Sequence, residues 1–169
     1  MNKQEILDEI NKTKEHLANM EKMLAECEYE QCEYKRWKPK YGQEYYYSST
    51  SCQVFCLNWY DTDANEEQYC AYNCFQTREQ AETEAEKILV RRQLEDIAKR
   101  LNKNWKINWD DETQSKYFIY FDFSLDEIAS FYRLYQKEQG VVYCLDKSFK
   151  DVAIQEIGEE RLKNYLRGE

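Results

Sequence analysis

The sequence predicts an α+β protein: a long N-terminal helix, then an antiparallel sheet carrying helices on one face. Three observations predict it. Residues 2–33 hold a helical spacing with no Gly or Pro to interrupt it. Aromatic and β-branched residues cluster in 43–75 and again in 106–145. Each cluster is followed by a stretch of helical pattern, 77–102 and 147–167. The chain divides accordingly into a helix, 1–35, and an α+β domain, 36–169. Its 169 residues are 42% hydrophobic with 1 Pro and 4 Gly, enough apolar surface for one core and too few breakers for a loop-rich fold.

In the first helix, Ile6, Ile10, Thr13, Leu17, Met20, Leu24 and Cys27 are spaced alternately by four and three residues. This is a heptad seam over three repeats, so the helix either pairs with a copy of itself or packs along its own chain. The dimerisation candidates are Ile6, Ile10, Leu17, Met20 and Leu24. Pro39 and Gly42 end the helical pattern. Tyr45-Tyr46-Tyr47 and 52–59 read as strands around a Ser/Thr turn, residues 61–65 as a loop, and 68–75 as a third strand.

Thr77 opens the second long helix, with Gln80 where a capping box needs it. Residues 106–109 and 116–123 read as a hairpin around Asp110-Asp111-Glu112-Thr113-Gln114-Ser115. Residues 128–135 suit a helix by spacing, but their aromatic content and Gly140 favour a strand. Residues 141–145 read as a last short strand, 147–157 as a helix interrupted by Gly158, and 159–167 as a final turn or two. An internal repeat is visible: Tyr72-Asn73-Cys74-Phe75 before one helix matches Val142-Tyr143-Cys144-Leu145 before another, each after an aromatic meander. The expected architecture is two degenerate β-meander-α units side by side.

Lys and Arg number 24 against 33 Asp and Glu, a net charge of −9. Such a balance repels phosphate backbones and anionic lipid at long range, so direct nucleic-acid or membrane binding is disfavoured and a basic protein surface is the expected partner. The seven Cys are Cys27, Cys32, Cys52, Cys56, Cys70, Cys74 and Cys144. An odd count without an export signal predicts reduced thiols in a cytoplasm.

Cys52-x-x-x-Cys56 and Cys70-x-x-x-Cys74 have the look of a four-thiolate zinc site. The residues between them, Gln-Val-Phe and Ala-Tyr-Asn, resemble strand and not knuckle, so core packing of the thiols is expected and no metal or cofactor. Asp61-x-Asp63-x-Asn65 opens like a calcium loop, but Glu66 stands where Gly is required and Tyr72 where Glu is required. A solvated acidic turn is the expectation there. The single His, His16, lies off the seam, and no phosphate loop or nucleophile elbow occurs, so no catalytic residue is assigned.

Charge is unevenly spread. Between residues 61 and 86, eight acids (Asp61, Asp63, Glu66, Glu67, Glu79, Glu82, Glu84, Glu86) face one cation, Arg78. The run serves solubility and a helix N-terminus, or it mimics nucleic-acid charge and fills a basic cleft. On the second reading Asp61, Asp63, Glu66, Glu67, Glu79 and Glu82 contact the partner.

Trp37-x-Pro39-x-x-Gly42-Gln43-x-Tyr45-Tyr46, Asn73-x-Phe75-x-Thr77-x-Glu79-x-Ala81-Glu82 and the run from Ala153 to Leu166 resemble small accessory proteins common in prophages of Gram-positive bacteria. The resemblance covers 37–166, with 124–139 departing from the pattern. It implies phage origin and supplies no catalytic residues. Small acidic phage proteins often inhibit host defence nucleases. The expected function is therefore a non-enzymatic, anti-CRISPR-like inhibitor of a bacterial immune effector, acting through its acidic surface in the host cytoplasm. The alternative is a phage regulatory or assembly adaptor that dimerises through its first helix. Elemental analysis of protein purified without chelator is expected to find far less than one zinc per chain; one zinc per chain is the result a four-thiolate site would give.

Overall fold

The computed structural model describes residues 9–21 and 36–168. Two compact units divide at Trp37 and Lys38. Of the first unit, residues 9–21 are helical throughout (α1), as the heptad spacing predicts. The second unit runs β1 (Glu44–Ser48), β2 (Val54–Asn58), α2 (Asp63–Cys70), α3 (Arg78–Asn102), β3 (Lys116–Asp122), β4 (Glu127–Arg133), α4 (Phe149–Ile157) and α5 (Glu159–Arg167). The fold is α+β, as expected. Its strands form two separate antiparallel hairpins, β1–β2 and β3–β4, in place of one continuous sheet.

The internal repeat is present in the backbone. The far side of each first strand carries one antiparallel bridge, Tyr46 to Phe75 and Tyr117 to Cys144. Each bridge closes with two hydrogen bonds of 2.7–3.0 Å. Two residues after each bridge a side chain prepares the next helix. Thr77 Oγ1 accepts from Gln80 N while the Gln80 carboxamide accepts from Thr77 N, a complete capping box. Asp146 Oδ1 accepts from both N and Oγ of Ser148. Backbone roles thus pair Phe75 with Cys144, one residue earlier than the sequence match suggested.

Three strands expected from β propensity, over 68–75, 106–109 and 141–145, are absent, and of the last only the single bridge at Cys144 forms. Residues 68–70 belong to α2, because Thr62 Oγ1 accepts from Asn65 N and Asp63 and Glu66 sit in the first turn, where carboxylates favour a helix start. Residues 106–109 join a loop braced by its own side chains. Gln114 Oε1 accepts from Asn108 N, Asn108 Oδ1 from Asp110 N, and Asp111 Oδ1 from Thr113 N and Oγ1. Such local bonds compete with strand pairing. The partner of β3 is β4 instead, so residues 124–139 contain a strand of the fold.

α3 runs 25 residues, about 37 Å. Its first half packs on hairpin β1–β2. Its second half enters the main core, where Val90, Leu94, Ile97 and Ala98 meet Ile119, Ile128, Cys144, Phe149, Ala153, Ile157 and Leu162. Lys116 is also fully buried, its ammonium satisfied by the carbonyls of Asp111 and Leu134 at 2.6 Å and lying 5.5 Å from the Trp109 ring centroid.

Truncating Leu94 to Ala is expected to cost about 2–5 kcal/mol in urea unfolding. Thr77→Ala, which removes one cap bond at the exposed end of the same helix, is expected to cost about 1 kcal/mol.

Candidate functional site

α2 and α3 enclose hairpin β1–β2 from opposite faces, a departure from helices on one face. Tyr45 and Trp59, fully buried and 5.8 Å apart, share the face toward α2. Asn65 of α2 donates to Tyr45 Oη at 3.0 Å and accepts from Tyr60 N at 2.9 Å, and Tyr69 meets Trp59 edge-on at 6.2 Å. Tyr46, on the other face, lies under the Arg78 guanidinium of α3. The stretch 61–65, expected to be a solvated turn, is therefore partly structural: Asn65 is buried, and Asp61 accepts from the Trp59 indole N–H at 2.5 Å.

The acids of 61–86 do not act as one field. Glu66 pairs with Lys38 at 2.6 Å, Glu82 with Arg78 at 3.3 Å, Glu84 with Lys87 at 3.2 Å and Glu86 with Arg161 at 2.6 Å. The hydrogen bond from Lys38 to Glu66 raises the lysine pKa, and the ammonium stands 5.1 Å from the centroids of both Trp59 and Tyr69. Asp63 and Glu67, one turn apart on the exposed side of α2, have no ion pair among the described residues. Glu79 is held below the usual carboxylate range by a backbone N–H in its own turn and by the Thr77 hydroxyl. Open negative charge is thus confined to Asp61, Asp63, Glu67 and Glu79.

In α1, Ile10, Leu17 and Met20 are 46%, 52% and 48% exposed and share one face. Ile6 and Leu24 lie outside the described residues. Thr13, at a seam position, donates its hydroxyl to Glu9 O within the same helix.

The thiols separate. Cys74 and Cys144 are buried, Cys56 and Cys70 exposed and Cys52 half-buried, so the expected burial of both pairs holds for Cys74 alone of the four. Cys56 shares the face of Tyr46, its partner in register, yet is exposed, as are its neighbours along β2, and Cys52 sits with positive φ in the turn before the strand. No three His, Cys, Asp or Glu among the described residues stand close enough to hold a metal ion. None of the described helices is long and apolar enough to cross a membrane.

Two features escaped the sequence reading. The first is a cleft of about 680 Å³ at the end of α3, walled by Asn102, Lys103, the exposed Trp105, Asp111, Asp146 and Lys147 among others. Asp111 and Asp146 are both held below the usual carboxylate range, chiefly by hydrogen bonds from Thr113 and Ser148. They are turn-locking acceptors, committed as anions and poorly matched to proton transfer near neutrality.

The second is the outer edge of β2. In a chain that is 34% charged, residues 45–60 contain no Asp, Glu, Lys or Arg. The bonds Trp59 N to Gln43 O, 2.9 Å, and Ser49 N to Gln53 O, 2.8 Å, flank the hairpin. They fix Tyr45–Leu57 and Tyr47–Phe55 as its hydrogen-bonded pairs. The N–H and C=O groups of Val54, Cys56 and Asn58 therefore point outward, with no partner among the described residues. Phe55 and Leu57 are 42% and 44% exposed. The signal that could have found this edge is the absence of charge along 45–60.

Comparison of the chain with protein-family models, with curated proteins and with solved structures returned no match.

Replacing Asn65 by Ala removes its two hydrogen bonds, to Tyr45 Oη and from Tyr60 N, and leaves the Tyr45 hydroxyl buried without that partner. Urea unfolding is expected to show a loss of about 1–3 kcal/mol, whereas Asp63→Asn, at an exposed position, should change stability by less than about 0.5 kcal/mol.

Proposed function

We propose that the protein is a non-enzymatic, stoichiometric inhibitor of a bacterial immune effector, acting in the host cytoplasm by placing an acidic patch in a basic, nucleic-acid-binding cleft. The observation that carries this reading is the way α2 presents Asp63 and Glu67. The helix is pinned to buried Tyr45 through Asn65 and to Trp59 through Tyr69, so two unpaired carboxylates project from a fixed support. Asp61, held by the Trp59 indole, stands at the entrance to the same helix. Fixed charges meet a basic surface with less ordering entropy to lose than charges on a loose tail. Glu66 and Glu82 enter the contact only together with Lys38 and Arg78, which halves their use as phosphate mimics. The resemblance to prophage accessory proteins supports the biological setting.

A regulatory or assembly adaptor is the second reading. It is favoured by the exposed Ile10, Leu17 and Met20 on α1, an apolar face suited to pairing with another helix.

The test uses a CRISPR effector nuclease loaded with guide RNA and measures association rate against salt. The double variant Asp63→Lys, Glu67→Lys is expected to keep the fold, since single exposed charges contribute under about 1 kcal/mol. Its association should slow by roughly tenfold or more at low salt, because long-range attraction becomes repulsion. An association rate unchanged by the reversal rules out the acidic patch as the docking surface.

A further inference from the structure

We propose that β2 is a self-pairing edge, through which two copies of the chain join hairpins into one four-stranded antiparallel sheet, β1–β2–β2–β1. The inference is independent of the inhibitor reading and of α1. Edge strands that are to stay unpaired carry charge, proline or a bulge. The molecule holds its own comparison in its second repeat. β4 presents the same ladder geometry, but Glu127 and Arg133 stand at its two ends, and Asp126 beside it is ion-paired to Arg167. β2, the equivalent strand, has none of these devices. Both strands expose large apolar side chains, Phe55 and Leu57 on β2 and Phe131 and Tyr132 on β4, so the difference between them is the flanking charge.

The occupant follows from register. Only Val54, Cys56 and Asn58 turn their backbone groups outward. A twofold axis at Cys56 sets Cys56 against Cys56 of the second copy, Val54 against its Asn58, and Asn58 against its Val54. Every outward N–H and C=O then finds a partner, with none left over. The same axis places Phe55 opposite Leu57 of the second copy on the neighbouring face, so both exposed apolar side chains are covered twice over.

Charge agrees with this pairing. A chain of net charge −9 is repelled by its own copy except where charge is missing, and residues 45–60 are that place. Beyond the strand, the Asn58 end carries carboxylates, while the Val54 end carries Arg78 and Arg92 along with Glu82 and Glu86. Glu44 is paired in register with Asn58, and Asp61 and Asp63 follow within five residues. At the other end Arg92 donates to Thr50 O at 2.6 Å. Antiparallel pairing sets the acidic end of each copy beside the Arg92 end of the other. A parallel partner strand would bring the acidic ends together.

The test is sedimentation of the full chain over a concentration series. The natural protein is expected to dimerise. Cys56→Pro removes an outward N–H without breaking the ladder to β1, a placement edge strands tolerate. It should give a monomer at concentrations where the natural chain is a dimer. Phe55→Lys, which sets a charge against Leu57 of the second copy, should weaken dimerisation at least tenfold and keeps the test valid should the proline variant fail to fold. Mild diamide oxidation should trap a disulfide-linked dimer in the natural protein and in Cys70→Ser, but not in Cys56→Ser. A natural protein that is monomeric at every concentration overturns the proposal. So does a dimer that survives both β2 variants and is lost on Leu17→Glu, which would place the interface on α1. Because the readout is the protein alone, it is unaffected by failure of the effector assay.

Discussion

Burial of the apolar stripe of α3 is the constraint on which the rest of the second unit depends. A 25-residue helix whose inward positions include Val90, Leu94 and Ile97 is not stable with that stripe in water, and no single two-stranded hairpin is long enough to cover it. The covering is therefore divided. Hairpin β1–β2 closes over the small residues Ala81 and Ala85, which permit close approach, while β3–β4, α4 and α5 close over the larger residues beyond Val90. The two repeats share one spine, and neither is complete alone.

A chain with only 4 Gly must make its turns by other means. Among the described residues five non-glycines, Cys52, Asp61, Tyr72, Lys103 and Asp126, take positive φ, each at a cost of about 1–3 kcal/mol that its surroundings must offset. Side-chain hydrogen bonds do much of the holding. Asp61 accepts from the Trp59 indole. Asn73 accepts from Ser48 N while donating to Ser48 O and Gln68 Oε1, tying the segment after Tyr72 to β1. Asn102 accepts from Leu145 N beside Lys103. The buried ammonium of Lys116 clasps the 106–115 loop to the end of β4 in the same manner.

Charge is sorted by these same contacts. Pairing with Lys38, Arg78, Lys87 and Arg161 removes half of the acidic run from the open field and leaves Asp61, Asp63 and Glu67 at the start of α2 and Glu79 at the start of α3. Individually such exposed pairs contribute little to stability, about 0–1 kcal/mol. Their effect is on what an approaching partner meets: open acids at the start of α2, with Glu79 apart from them at the start of α3, and an uncharged aromatic hairpin between the two helices. The open edge of β2 and the unpaired acids of α2 are two different kinds of docking surface, one read through backbone groups and the other through long-range attraction.

The sequence by itself determined the helices whose signals are local. The Thr77–Gln80 cap, the breaks at Pro39 and Gly158 and the 3.6-residue spacing of α3 act within one turn of the chain, so they could be read from neighbours alone. The strand character of 128–133 and the recurrence of a strand pair before a helix were legible for the same reason, whereas the third strand expected in each unit is only a single bridge. The tertiary structure decided what depends on residues far apart. Tyr69 and Tyr72 favour a strand by propensity, yet capping at Thr62 and the bond from Asn65 to Tyr45, 20 residues away, make the stretch around Tyr69 a helix. Residues 106–109 lost their place in a hairpin to β4, because turn-forming side chains occupied the backbone that pairing would have needed. Which acids stay unpaired was settled by cations as distant as Arg161, 75 positions from Glu86. Which strand edge stays open was settled by the hairpins closing separately. Sequence spacing reports neighbours along the chain, and charge pairing and edge exposure are made by neighbours in space.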